Sequence, residues 1–149
     1  MGAVRAISAD SSSYAGDVTP EAAFVALVGD ASAQLVDVRT AAEWALVGRP
    51  DLESIGKAVH SISWKFYPAF DLNPQFVAQL QMVVPDHRTP LYFLCKTGGR
   101  SLDAAIAATA AGYTACYNIA GGMEGEMNAL RQRGQITGWK AAKLPWEQA

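Results

Sequence analysis

"LYFLCKTGGRSLDAAIAATAAGY", residues 91–113, is the stretch that decides the fold. Its first five residues are apolar without a break and include Tyr92 and Phe93, as in a central strand buried on both faces. From Ser101 the pattern turns helical and alanine-rich, so the helix can lie close on a sheet, and Gly112 offers it a left-handed end. Lys96, Thr97, Gly98, Gly99 and Arg100 form the loop between strand and helix.

The flanking sequence repeats this alternation. "AQLVDV" (33–38), "KAVHSIS" (57–63) and "ACYNIA" (115–120) are short apolar strand candidates. "VTPEAAFVALVG" (18–29) reads as a helix with Thr19 as cap and Pro20 at its first position. In "RTAAEWALVG" (39–48), Thr40 and Glu43 have the spacing of a capping box, and Gly48 can stop the helix. "NPQFVAQLQMVV" (73–84) reads as a helix capped by Asn73, and "MEGEMNALRQRG" (123–134) as a last amphipathic helix. Strands and helices that alternate through short links imply parallel strands with crossover helices, an α/β sandwich of three layers.

The chain has 149 residues, the size of one domain. The sequence divides into a flexible N-terminal tail, 1–16, and a single domain, 17–149, whose last residues form a tail with two tryptophans. Half the residues are hydrophobic, 17% are charged, and the net charge is -2, which offers no basic excess for nucleic acid or an anionic membrane. No apolar run approaches a membrane span, and the first residues make a poor signal peptide, so a cytoplasmic protein is expected. The two cysteines, Cys95 and Cys116, form no Cys-x-x-Cys pair, and His60 and His87 are distant from both in sequence, so no metal site is expected.

Cys95 ends a strand, at the edge where open parallel sheets bind ligands. Two glycines let the following backbone curl its N–H groups inward, the helix start adds partial positive charge, and Lys96 and Arg100 add two cations. Such surroundings stabilise an anion. That anion can be the Cys95 thiolate, or an added group held by the same donors once the thiolate has attacked. Arg100 supplies a planar fork for an oxyanion, Lys96 a point charge at the rim, and Ser101 a cap for the helix. The sulfur is expected to be open to solvent. The plainer alternative is a buried cysteine beside an ordinary turn.

On these residues the sequence resembles the single-domain rhodaneses, a sulfurtransferase family. "CKTGGRS" (95–101) fits that family's Cys-x-x-Gly-x-Arg-Ser loop. "LVDVR" (35–39) with Glu43 and Trp44, "AAGY" (110–113) and "YNIAGGMEG" (117–125) support the match. The resemblance implies a rhodanese-like five-stranded, mostly parallel sheet flanked by helices on both faces. It implies sulfur transfer from thiosulfate or a persulfide donor to cyanide, a thiol or a protein sulfur acceptor, with no cofactor. Cys95 and Arg100 are the catalytic candidates, and Lys96, Thr97, Gly98, Gly99 and Ser101 the substrate-binding ones. It also implies that Asp37 and Arg39, with Glu43, form a charge network under the loop; a local ion pair is the alternative.

Cys95 and Arg100 are separated by four residues, whereas the phosphatases and arsenate reductases that share the fold have five. The smaller ring suits one added sulfur rather than a tetrahedral oxyanion. A binding or sensing module that uses the same cradle without turnover is a further class. "ESIGKAV" (53–59) departs from the family's Gly-His-Ile-x-Gly-Ala segment, with Ser54 and Lys57 at changed positions. That departure bears on one expected pocket wall. Trp64, Phe66, Tyr67 and Phe70 either wall the entrance or pack in the core, Trp139 and Trp146 either cover the site or pack on the sheet, and Cys116 either packs or resolves a disulfide.

Overall fold

A computed structural model describes residues 13–148. Residues 1–12, most of the expected N-terminal tail, lie outside the described residues. Five parallel strands make the central sheet: β1 (Gly16–Val18), β2 (Gln34–Asp37), β3 (Val59–Ser61), β4 (Leu91–Leu94) and β5 (Cys116–Ile119), in the spatial order β1-β5-β4-β2-β3. The sequence pattern itself marked four of these strands. β1 escaped it because GDV is only three residues long, yet it pairs in register with β5, Gly16 opposite Tyr117 and Val18 opposite Ile119.

Among the described residues there are four α-helices: α1 (Pro20–Gly29), α2 (Ala41–Leu46), α3 (Phe76–Val83) and α4 (Gly99–Ala110). The caps of the first two are those written in the sequence. The Ala22 N–H donates to Thr19 Oγ1 at 3.1 Å, and Thr40 and Glu43 close their capping box. α3 starts later than expected. Asn73 accepts from the Gln75 N–H at 2.9 Å in a turn of its own, which postpones the helix to Phe76.

Period-two alternation along β4 sorts the core into two layers. Leu91, Phe93 and Cys95 join Phe76 and Leu80 of α3 and Ala104, Ala105 and Ala108 of α4 on one face. Tyr92 and Leu94 join Ala23 and Leu27 of α1 on the other. A central strand with both faces covered is uniformly apolar, which is why residues 91–95 carry no polar break. Among the described residues, no helix is long and apolar enough to cross a membrane.

The helix expected over 123–134 is absent; the segment runs through turns. Gly121, Gly122 and Gly125 hold left-handed φ angles of 86°, 60° and 67°, and Arg131 one of 62°, none of which an α-helix admits. The Asn128 Oδ1 also accepts from the N–H groups of Leu130 and Gln132, both at 2.9 Å, competing with helical bonding. The tail that follows is a structural element. Trp139 is fully buried in the α1-side core, edge-on to Phe24, with its indole N–H donating to the Pro145 carbonyl at 2.7 Å. Trp146–Glu147 pairs antiparallel with Arg49–Pro50, and the Lys140 ammonium sits 3.9 Å over the Trp146 ring.

Candidate active site

β4 ends at Leu94 and α4 begins at Gly99, so Cys95 stands at the carboxyl edge of the central strand. Gly98 takes a φ of 114° and serves as the N-cap of α4, without any side-chain cap bond. This turn starts the helix two residues earlier than expected. Ser101 is therefore not its cap, as the sequence led us to expect. It lies in the first turn, fully buried, with Oγ 3.1 Å from Cys95 Sγ and 2.6 Å from Asn118 Oδ1.

The Gly98 N–H donates to Sγ at 3.1 Å. Among the described residues, the N–H groups of Thr97, Gly99 and Arg100 donate to no protein acceptor. They are the unsatisfied donors of a helix start, on the same loop whose Gly98 N–H reaches the sulfur. The loop is clamped from behind by residues 122–125. The N–H groups of Met123 and Glu124 donate to the Cys95 and Lys96 carbonyls at 2.8 and 3.0 Å. A Cβ at Gly122 would collide with those same carbonyl groups, so the contact requires glycine twice, for space and for φ.

The expectation of a solvent-open sulfur is not met. Cys95 is only 1% exposed, because its side chain points to the α3–α4 core and Gly98 and Ser101 close over it.

The Arg100 fork is occupied. Its Nη1 and Nη2 donate to Glu43 Oε1 and Oε2 at 2.8 and 2.9 Å, and its guanidinium carbon stands 5.7 Å from the Phe70 ring centroid. Each side chain of this pair keeps 17% of its surface exposed. Burial pushes the Glu43 carboxyl upward, yet the bonds from Arg100 and Thr40 and the Arg100 charge outweigh it, and the group rests below its ordinary value. Arg100 mirrors this. Burial pulls it down, Glu43 more than restores it, and the charge of Asp37 adds to the rise.

Glu43 thus belongs to Arg100 and not to the Asp37–Arg39 pair. That pair is fully buried at the end of β2, where Asp37 lies opposite Leu94, the residue before Cys95. Arg39 donates to Asp37 through Nε at 3.0 Å and Nη2 at 2.7 Å, and from Nη2 to the Gly48 carbonyl at 2.8 Å.

Lys96, Arg100, Glu43, Glu124, Tyr67 and Phe70 line a cavity of about 300 Å³ outside the loop. Of the four aromatic residues, only Trp64 packs in the core, edge-on to Phe76; Phe66, Tyr67 and Phe70 are exposed. Thr97 faces a second, larger cavity of about 710 Å³ on the other side. Cys116 lies opposite Leu91 at the start of β4, four residues before Cys95. At about 3.3 Å per residue that is roughly 13 Å, beyond disulfide reach, so Cys116 packs and does not resolve. Burial pushes its thiol up. The altered "ESIGKAV" segment also misses the site. Lys57 donates to the carbonyls of Asp30, Ala31 and Ala33, where β2 begins, at the opposite edge of the sheet.

Asn118 is the residue that sequence reasoning missed. Its signal was a polar side chain in the buried run of β5, and it joins Ser101 to Asp17 of β1.

A family model described as the STR4 middle domain matches residues 15–149. The crystal structure of Rv0390 from M. tuberculosis superposes with a TM-score of 0.84 at 44% identity, over 92% of this chain and 100% of that one. Protein RC0915 of Rickettsia conorii is 38% identical over 126 residues, 84% of this chain and 91% of its own length. The chloroplastic protein THYLAKOID RHODANESE-LIKE of Oryza sativa is 33% identical over 132 residues, 88% of this chain but 25% of that protein.

Proposed function

This chain belongs to the rhodanese-like family, and on that premise we propose that it transfers sulfane sulfur through a persulfide on Cys95. The observation that supports this reading is the Gly98 N–H bond to Cys95 Sγ, in a loop whose Thr97, Gly99 and Arg100 N–H groups donate to no protein acceptor among the described residues. In the first step the Cys95 thiolate attacks the outer sulfur of thiosulfate. A new S–S bond forms, the old one breaks, and its electron pair leaves with sulfite. The charge moves to the added sulfur, and the free N–H groups of Thr97, Gly99 and Arg100 are the loop donors available to stabilise it. In the second step a thiolate or cyanide attacks that added sulfur, and the electron pair of the breaking bond returns to Cys95. No oxidant, metal or organic cofactor is needed for the balance.

Lys96 and Arg100 bring the anionic donor to the rim. Arg100 can exchange one carboxylate oxygen of Glu43 for a donor oxyanion, since its fork is bidentate and partly open to water. Asp37 and Arg39 hold the loop from beneath. The acceptor can be a small thiol or a protein thiol that enters by the 300 Å³ cavity, and a cytoplasmic setting suits a reduced thiol. With only four residues between Cys95 and Arg100, the ring is small for the tetrahedral oxyanion of an inorganic phosphate or arsenate.

Intact mass after incubation with thiosulfate tests the proposal. The chain should gain one sulfur atom, lose it to cyanide, and gain none as Cys95→Ala. The sealed sulfur gives one specific ground for a second reading, a binding module without turnover. Absence of the adduct with thiosulfate and with a low-molecular-weight persulfide would establish that reading in place of the first.

A further inference from the structure

The inner side of Cys95 carries a directed chain of hydrogen bonds that the transfer steps above do not use. Ser101 Oγ has one proton and two acceptors within reach, Asn118 Oδ1 at 2.6 Å and Cys95 Sγ at 3.1 Å. Asn118 cannot turn over to relieve this competition. Its Nδ2 donates to Asp17 Oδ1 at 3.1 Å, and reversal would set an amide oxygen against a carboxylate. The same Asp17 oxygen also accepts from the Tyr14 hydroxyl at 2.8 Å. Asp17 therefore fixes Asn118 with its oxygen toward Ser101, and the shorter contact claims the Ser101 proton. The Ser101 oxygen then offers a lone pair to the sulfur, an arrangement that suits a neutral S–H donor.

We infer that Asp17 and Asn118 are positioning residues that decide where Ser101 points its proton, and so hold the inner sulfur of Cys95 neutral in its resting state. Ionisation, with the proton released to solvent, forces a choice. If Ser101 turns its proton to the anionic sulfur, Asn118 Oδ1 is left buried without a donor; if it does not, the sulfur keeps only the Gly98 N–H on this side. Sulfur uptake removes the conflict. In the persulfide the charge sits on the outer atom, among the loop N–H groups, and the inner sulfur is neutral again. The inner network thus favours the loaded enzyme over the bare thiolate, while the outer cradle favours the anion wherever it stands. The Asn118 amide passes no proton; it sets direction only.

This inference rests on Cys95 being the reactive group but not on the transfer reaction itself. Its test is the ultraviolet absorbance of the thiolate as a function of pH, in the full chain, taken as the difference from Cys95→Ala. The other charged groups around the thiol are Lys96 and Arg100 on the loop, Asp37 and Arg39 at the end of β2, Glu43 behind Arg100, and Glu124 in the clamp. All are retained in every variant.

Asp17 is exposed, so Asp17→Asn keeps the fold while letting the amide of Asn118 turn over and donate to Ser101. The midpoint should fall by about one pH unit, a tenfold change in the thiolate-to-thiol ratio. Added to Ser101→Ala, the same substitution should do nothing, because the group that passes the effect on is gone. An unchanged midpoint in Asp17→Asn overturns the inference. So does an undiminished shift in the double variant, which would make it a plain loss of charge. If the shift appears while thiosulfate leaves no sulfur on the chain, the network stands and the transfer reading falls.

Discussion

Two arginines flank the Cys95 loop, and each is held by two or more bonds to a carboxylate, yet they stand in opposite conditions. Arg39 and Asp37 have no exposed side-chain surface, and Arg39 is tied to the Gly48 carbonyl as well. Arg100 and Glu43 keep part of their surface in water and line a cavity. A fully buried pair has given up hydration for fixed partners, so neither member can leave. A partly exposed pair can exchange partners, because water or an incoming anion replaces what is lost. The first geometry suits a post under the loop and the second a gate beside it.

Four substitutions test that contrast. Arg39→Ala should have the largest effect on the fold, a loss of about 3–5 kcal/mol in denaturant unfolding, since Asp37 is left buried and unpaired. A loss under about 1 kcal/mol would erase the distinction between post and gate. Arg100→Ala should do the reverse. Stability should change by no more than about 1 kcal/mol, while the rate of sulfur uptake from thiosulfate falls about a hundredfold, as for one lost oxyanion donor. Equal rates in the variant and the parent would remove Arg100 from the donor site.

Glu43→Gln separates charge from capping, because glutamine still completes the box with Thr40. The carboxyl lies below its ordinary 4.5 in the folded chain, so its contribution to stability is fully present above that value and is lost as pH falls through the lower folded one. The stability difference between parent and variant should therefore shrink on acidification below about pH 4.5, from roughly 1 kcal/mol at neutral pH. The freed Arg100 should lower the KM for thiosulfate at the same time. A pH-independent difference would mean that the charge plays no part. Phe70→Ala should be the mildest, about 0.5–1 kcal/mol from the loss of one exposed cation–π contact. Its effect should be confined to the gate, with KM moving and kcat unchanged in steady-state assays.

The residues that were legible in the sequence are those whose role is local. The capping box of α2, the cap of α1, the apolar run of β4 and the cysteine turn each depend on neighbours within a few positions. What depended on distant partners was not legible. Glu43 sits 57 positions from Arg100, and Asp17 sits 101 from Asn118; no period or spacing rule joins them. Ser101 was assigned a cap because serine at a helix start usually is one. Gly98 took that place through its backbone conformation alone, which moved Ser101 inward and gave it the sulfur. The segment 123–134 has a helical composition, but its fate is set by the loop it must clamp.

That clamp has a consequence for the order of events on the ribosome. The thiol and the helix behind it leave the exit tunnel well before Gly122 and its neighbours, and Trp139, whose backbone N–H donates to the Gly122 carbonyl at 2.8 Å, follows later still. A nascent chain that ends after α4 already carries Cys95 but lacks the clamp behind its loop. The shape of the turn thus depends on residues 122–139, so a synthesis interrupted after α4 leaves the thiol without that backing.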